Sequence, residues 1–394
     1  MGADKKSVSG PAAWSRSRWP VIALAVLAAV SLALGLRNSQ SEVGSTDFQY
    51  SATYLMLEGI NPYRLYLVDH SRFLLSQGPN YLPLLYLLLT PIGMLNWPAA
   101  KLAWAAVNLT LALFLAWRIR GGLARAGTST TAGTLAALVF LSSTAVRNTI
   151  GSGQHGLFVM AAIVLALESR SSLVRAVALA FGIVKYSIGA CFVALLAGRR
   201  DFVAVVGAGV VTVAAFVAFA LLTATPLEPA LLLDPVNAAR QGIALPLPFQ
   251  WINDAFGFNA VLVVALVTLG ALLAWSWSHG RATGGAPPLA REAASPNLVL
   301  VATLACLLSG PHHIYDYCVL GLPFIFGNPF AMIGRVGQVS LGLVIAYAWN
   351  GIKLVDPFRS ALLFNAGCLL LWSLLAIVLV DHLRHGRMAA SGGR

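Results

Sequence analysis

Long apolar runs recur along almost the whole chain. Nothing else in the sequence constrains the fold as strongly, because such runs fit a bilayer and not water. Composition agrees. Of 394 residues, 58% are hydrophobic and 10% charged, against roughly 25% charged in soluble domains. The expected class is an all-α polytopic membrane protein of roughly 10–13 transmembrane or re-entrant helices. Length then limits the chemistry. A soluble catalytic domain of about 100 residues or more has no room, so any reaction sits at the membrane or in a short loop.

Spans are expected near residues 19–36, 99–117, 132–147, 155–168, 202–222, 259–278, 297–309, 317–333, 337–351 and 360–380. Two stretches resist that scheme. Residues 81–95 are apolar but short and contain Pro83 and Pro91, so they are read as a helix dipping in from the outer face. Residues 173–197 carry Lys185 in the middle and are read as two short helices meeting there. The N-terminus, with Lys5, Lys6, Arg16 and Arg18, precedes the apolar run Val21–Leu36 without a convincing cleavage motif. It reads as an uncleaved first span. The organisation is thus a basic cytoplasmic segment 1–18, one membrane domain 19–381 and a basic cytoplasmic tail 382–394.

Net charge is +12, but the basic residues lie between apolar runs, as topology signals do, rather than forming a nucleic-acid patch. In this scheme 17 of the 26 Lys and Arg residues face the cytoplasm, with 5 acids, and 9 face outward with 9 acids. If 81–95 crosses fully and 173–197 is one span, the ratio falls to about 14:12, so the first scheme is preferred. Either way both termini lie inside, and 37–80, 223–258 and 310–316 lie outside. The setting expected is a bacterial-type plasma membrane, with any active site on the outer face. Cys191, Cys306, Cys318 and Cys368 lie in or beside apolar stretches and read as small core residues.

Four places hold chemistry-bearing side chains. Asp47, in Ser45-Thr46-Asp47-Phe48-Gln49-Tyr50, lies in the first outer loop. A partly desolvated carboxylate there is a usable general base, though Asp also caps helices. Tyr50, Tyr54, Leu57 and Ile60 follow at helical spacing, and Tyr50 is a substrate-contact candidate. Lys185, in Gly182-Ile183-Val184-Lys185-Tyr186, suits a phosphate; a snorkelling lysine is the plain alternative. His312, His313 and Asp316 sit in Ser309-Gly310-Pro311-His312-His313-Ile314-Tyr315-Asp316-Tyr317. They suit a phosphate or an acceptor hydroxyl, or form an ordinary polar loop. Gln154, in Gly151-Ser152-Gly153-Gln154-His155, can hydrogen-bond sugar hydroxyls, where the plain reading is a tight turn. Trp251, in the outer loop 223–258, suits sugar stacking. There is no Gly-Lys-Ser/Thr phosphate loop and no Asp-x-Asp pair, which speaks against ATP coupling and a metal-held nucleotide-sugar donor. No metal or other cofactor is expected.

Together these stretches resemble glycosyltransferase family 87. The first loop, Asp47-Phe48 through Gly59-Ile60-Asn61-Pro62-Tyr63, resembles the family's first-loop signature. Asn80-Tyr81-Leu82-Pro83-Leu84 resembles its Tyr-Pro-Pro-Leu segment, with Leu82 in place of one proline. Gly153-Gln154, Gly182-Ile183-Val184-Lys185 and Ser309–Asp316 resemble three further motifs, in the family's order. The resemblance spans roughly residues 40–325. It implies a GT-C fold with an outer-face cavity and a polyprenyl-phosphate-sugar donor. It implies transfer of mannose first, or arabinofuranose second, to an envelope glycolipid or glycan. It also implies that Asp47 holds the catalytic carboxylate's place, that Lys185 contacts phosphate, and that His312 or His313 is an active-site histidine. The expected partners are the bilayer, the lipid-linked donor and the acceptor. A transporter or lipid flippase is the alternative, but it calls for matching interrupted helices in two halves, and only one interruption is visible, at Lys185.

Overall fold

A computed structural model describes residues 18–41, 47–75, 78–242, 247–282, 296–309, 313–351 and 361–391. Every regular element among them is helical. In chain order the first helices are α1 (Trp19–Ser39), α2 (Tyr50–Leu57), α3 (Pro62–Val68), α4 (Pro83–Gly93), α5 (Trp97–Arg125) and α6 (Thr130–Ser142). Next come α7 (Thr144–Gly151), α8 (Gly156–Glu168), α9 (Ser172–Gly182), α10 (Tyr186–Gly198), α11 (Phe202–Leu222) and α12 (Asp234–Gly242). The rest are α13 (Leu247–Phe256), α14 (Phe258–Ala282), α15 (Pro296–Ser309), α16 (Leu322–Phe326), α17 (Arg335–Ala346) and α18 (Ala361–Ser391). Among the described residues, α1, α5, α11, α14 and α18 are long and apolar enough to cross a bilayer. Helices α7 and α8 pass the same test as a pair, bent by 109°. Shorter apolar helices fill the space between. The protein is an all-α polytopic membrane protein.

Local chemistry explains where the apolar runs break. Ser143, with an extended backbone, caps α7 by accepting from the Val146 amide at 3.1 Å, and so ends α6 within the expected span 132–147. Asn96 caps α5 through the Ala99 amide at 3.0 Å, with Pro98 in the first turn, where its missing N–H costs nothing. The expected span 317–333 is not a continuous helix. Residues Ile314–Gly321 form a 3-10 turn, α16 follows for five residues, and Pro329–Met332 is again 3-10. Pro323 and Pro329 each start a new segment, because neither donates to a preceding carbonyl.

The run 173–197 divides at Lys185, as its charge predicts. A Cβ on Gly189 would lie 2.3 Å from the Gly182 carbonyl oxygen. Only a glycine lets α10 fold back this closely over the end of α9. Helix α1 uses the same economy of size. Its buried face is Ala28, Ser31, Gly35 and Ser39, while Ile22, Val26, Leu27, Val30 and Leu34 are exposed. Small residues let backbones approach inside a membrane, and large apolar ones face lipid.

Cross-chain contacts sort the loops into two ends. At one end Lys101 Nζ donates to the Gln40 carbonyl at 3.1 Å, and Arg64 pairs with Glu228 at 2.6 Å and Asp234 at 3.1 Å. At the other, Arg118 pairs with Glu168, Arg175 donates to Asp201 at 3.2 Å, and the Gly334 amide donates to Asp381 at 2.6 Å. A full crossing by 81–95 and a single span over 173–197 would put a bilayer between Gln40 and Lys101, and between Arg175 and Asp201. Both contacts reject that scheme. Helix α4 has 11 residues, about 16 Å long at 1.5 Å per residue, roughly half a bilayer core.

Candidate active site

Asp47 opens a strained turn. Phe48 (φ 42°) and Gln49 (φ 68°) both lie in the left-handed region, which non-glycine residues occupy at a cost of order 1–3 kcal/mol each. Three anchors hold the turn. The Tyr50 amide donates to the Asp47 carbonyl at 2.8 Å. Gln49 Nε2 donates to the Gly78 carbonyl at 3.0 Å, and Tyr86 donates to Gln49 Oε1 at 3.2 Å. The Phe48 ring stacks on Trp97 and Trp104, with centroids 5.8 and 6.0 Å away. The result fixes the carboxylate of Asp47, which is 1% exposed. Its Oδ1 accepts from the Ser51 amide at 2.9 Å, in the first turn of α2, although Gln49 holds the N-cap position. Its Oδ2 is buried with no hydrogen-bond partner among the described residues. Burial pushes the Asp47 carboxyl up to about 6, against the opposing hydrogen bonds from Ser51 and Tyr50.

The α7–α8 bend presents the next group. Gly153 (φ 63°) packs directly on the Asp47 turn: a Cβ there would lie 2.6 Å from the Phe48 Cβ. Trp104 Nε1 donates to its carbonyl at 2.7 Å. The following Gln154 is fully buried and accepts from the Tyr81 hydroxyl at 3.3 Å. Tyr81 is positioned in turn by Tyr63, whose hydroxyl donates to the Tyr81 carbonyl at 2.5 Å. The Leu82 amide ties the same segment to the Val184 carbonyl at 3.2 Å, one residue before Lys185.

Lys185 forms a buried ion pair with Asp316 Oδ1; their side chains are 11% and 1% exposed. The ammonium also lies over the rings of Tyr315 and Tyr81, 4.8 and 5.7 Å from their centroids, a favourable place for a cation. Asp316 Oδ2 accepts from the His313 amide at 3.1 Å, and the His313 ring stacks on Tyr315 with centroids 5.1 Å apart. Thr149 of α7 donates to the Tyr315 carbonyl at 3.3 Å. The 3-10 turn is thereby pinned to the helix that leads into Gly153-Gln154. Asp47, Gln154, Lys185, His313 and Asp316 thus belong to one continuous set of contacts, although 269 positions (316 − 47) separate its ends in sequence.

Two other candidates have different surroundings. The Tyr50 hydroxyl donates to the Leu95 carbonyl at 2.8 Å and its ring packs on Trp97, so it joins α2 to the start of α5. Trp251 is 56% exposed on α13, which packs against α14 and α18 rather than against Lys185. Near it, Arg240, Asn253, Phe256, Gly257, Phe258 and Asn259 line an open cleft of about 290 Å³. His312 lies outside the described residues. Tyr81, His155 and Tyr315 also belong to the site, and no motif in the sequence singles them out. The hints are positional: His155 follows Gly153-Gln154, and Tyr81 lies two residues before Pro83; both look like ordinary aromatic core residues until their neighbours are known.

The site is a polar cluster held between short, broken helices of an integral membrane protein. The family model of glycosyltransferase family 87 matches residues 80–310, and the chain belongs to that family. It is a membrane glycosyltransferase. The match includes Tyr81, Gln154 and Lys185; Asp47, His313 and Asp316 flank it. Neither a curated protein nor a solved structure shows a significant match.

Proposed function

We propose that this glycosyltransferase inverts the sugar it moves, takes it from a polyprenyl-phosphate donor, and works at the outer face of a bacterial-type plasma membrane. Mannose is the first choice of sugar and arabinofuranose the second; the acceptor is an envelope lipid or glycan. The observation that carries this reading is Asp47. One of its oxygens is locked by Ser51, and the other is buried with no partner among the described residues, in a strained turn. Backbone strain combined with a raised carboxyl supports a functional role for Asp47.

In this reading Asp47 Oδ2 takes the proton from an acceptor hydroxyl while that oxygen attacks the anomeric carbon. The new C–O bond forms as the bond from the anomeric carbon to the phosphate oxygen breaks. The electron pair leaves with the polyprenyl phosphate. Attack opposite the leaving group inverts the centre. Lys185 stabilises the charge that grows on the phosphate. Its partner Asp316 occupies one of three ammonium donors, so the lysine reaches the phosphate while held in place by Asp316 and the Tyr81 and Tyr315 rings. A lipid tail stays in the bilayer throughout. The basic-residue asymmetry, 17 against 9, supports the outer placement of Asp47, Lys185 and Asp316. The open cleft beside Arg240 and Asn253 suits the distal part of an acceptor glycan.

The test uses purified protein in lipid with polyprenyl-phosphate mannose or its arabinose analogue, and an envelope-lipid extract as acceptor. Released polyprenyl phosphate is measured for wild type and Asp47→Asn. Transfer by wild type, and its loss in a folded Asp47→Asn protein, is the expected result. Equal turnover by the two proteins removes Asp47 from the chemistry; no turnover with either donor removes the donor assignment.

A further inference from the structure

The α7–α8 bend holds a group that the mechanism above does not use. His155 is fully buried, and both ring nitrogens lack a hydrogen-bond partner among the described residues. A buried imidazole with neither nitrogen paired is costly, and native structures rarely retain one without a use. Its surroundings are aromatic. The ring meets Tyr81 edge-on at 4.7 Å and lies 5.1 Å from Trp104. Two more orphaned atoms lie on residues adjacent in sequence to rings of this contact set. Among the described residues Asn80 Oδ1, next to Tyr81 in sequence, is shielded and without a partner, and so is Asp47 Oδ2. The Phe48 ring, adjacent to Asp47, stacks on the same Trp104.

The chemistry of these atoms selects a ligand. A neutral imidazole offers one donor and one acceptor, and the amide and carboxylate oxygens offer acceptors only. The set is therefore rich in acceptors. A phosphate, which presents oxygens, matches it poorly. A sugar ring, which presents several O–H donors and an apolar C–H face for Trp104 and Tyr81, matches it well.

We infer that His155 and Asn80 form the sugar-reading subsite, holding hydroxyls of the transferred sugar beside Asp47 while Lys185 holds the phosphate end. The inference rests on the glycosyl-transfer reading for its setting, but its own content is recognition of sugar hydroxyls by His155. Hydrogen bonds of this kind, lost one at a time, change affinity about tenfold each.

The test measures binding to wild type, His155→Phe and His155→Gln in lipid nanodiscs. The probes are polyprenyl phosphate, polyprenyl-phosphate mannose and its arabinose analogue, and free methyl glycosides. Wild type binds a sugar-bearing lipid about tenfold or more tighter than the bare lipid. His155→Phe binds the two within about threefold, with a melting temperature at or above wild type, because an unpaired buried polar group has been removed. Equal binding of bare and sugar-bearing lipid by wild type, or an undiminished preference in His155→Phe, overturns the inference and leaves the donor assignment standing. A lowered melting temperature in His155→Phe, with a preference that His155→Gln does not restore, also overturns it, in favour of packing. If neither lipid binds wild type, the donor assignment fails. Methyl-glycoside binding that depends on His155 then upholds the subsite, and binding that does not depend on it, or no binding, overturns it.

Discussion

Removing Asp316 isolates the Lys185 ammonium. The side chain of Lys185 is 11% exposed and that of Asp316 1%, so solvent screens neither charge effectively. Breaking such a pair from one side costs about 3–5 kcal/mol, whereas replacing both partners by apolar residues of similar volume is close to neutral. Asp316→Asn and Lys185→Met should each destabilise by that amount, and Lys185→Met/Asp316→Leu by far less than the sum. Unfolding entropy for 394 residues is about 0.8 kcal/mol/K at the per-residue average. The single variants therefore melt about 4–6 °C lower. Helices that persist in detergent reduce this entropy, which makes that figure a lower bound. The assay is thermal unfolding of purified protein in one detergent, analysed as a double-mutant cycle. A coupling energy below about 0.5 kcal/mol would refute the buried pair as the support of the site. The cycle also separates support from chemistry: the double variant recovers stability but not transfer.

Asp47→Asn is expected to lower transfer by about 100-fold or more while raising stability. Its carboxyl, pushed from 3.8 to about 6 by burial, is destabilising when ionised. Because the folded value lies above the unfolded one, this penalty of about 3 kcal/mol is full above pH 6 and fades as pH falls from about 6 towards 4. Melting curves at pH 5 and 7.5 should show the Asn variant's advantage roughly halved at the lower pH. The same group sets the pH profile: kcat/KM measured from pH 4.5 to 8 should rise about tenfold per unit below pH 6 and level off above it, because only the ionised form accepts a proton. Gly153→Ala meets a positive φ of 63° and the Phe48 Cβ 2.6 Å away. It should lose about 1–3 kcal/mol and shift Phe48 and Asp47, so transfer falls more than substrate binding; steady-state kinetics with a melting-temperature control checks this.

Hydropathy alone determined the class of fold, because a backbone in lipid must close its own hydrogen bonds and a run of apolar side chains leaves it only the helix. A charge in an apolar run is costly enough to mark a break, which is why Lys185 announced the α9–α10 junction in advance. Ser143 did not announce its break. A lone serine in an apolar stretch sits equally well inside a helix, and only the close packing of α7 on α1 and the 3-10 turn chose the cap. Motif order exposed Asp47, Gln154, Lys185, the pair His312 and His313, and Asp316 as separate hints. Tertiary structure alone decided that Lys185 pairs with Asp316 across 131 positions, that one Asp47 oxygen is held by the Ser51 amide, and that the other and the His155 ring are buried with no partner among the described residues. Pairing and orphaning are relations between distant segments, set by how the short helices fold back on one another, and no local pattern of residues encodes them.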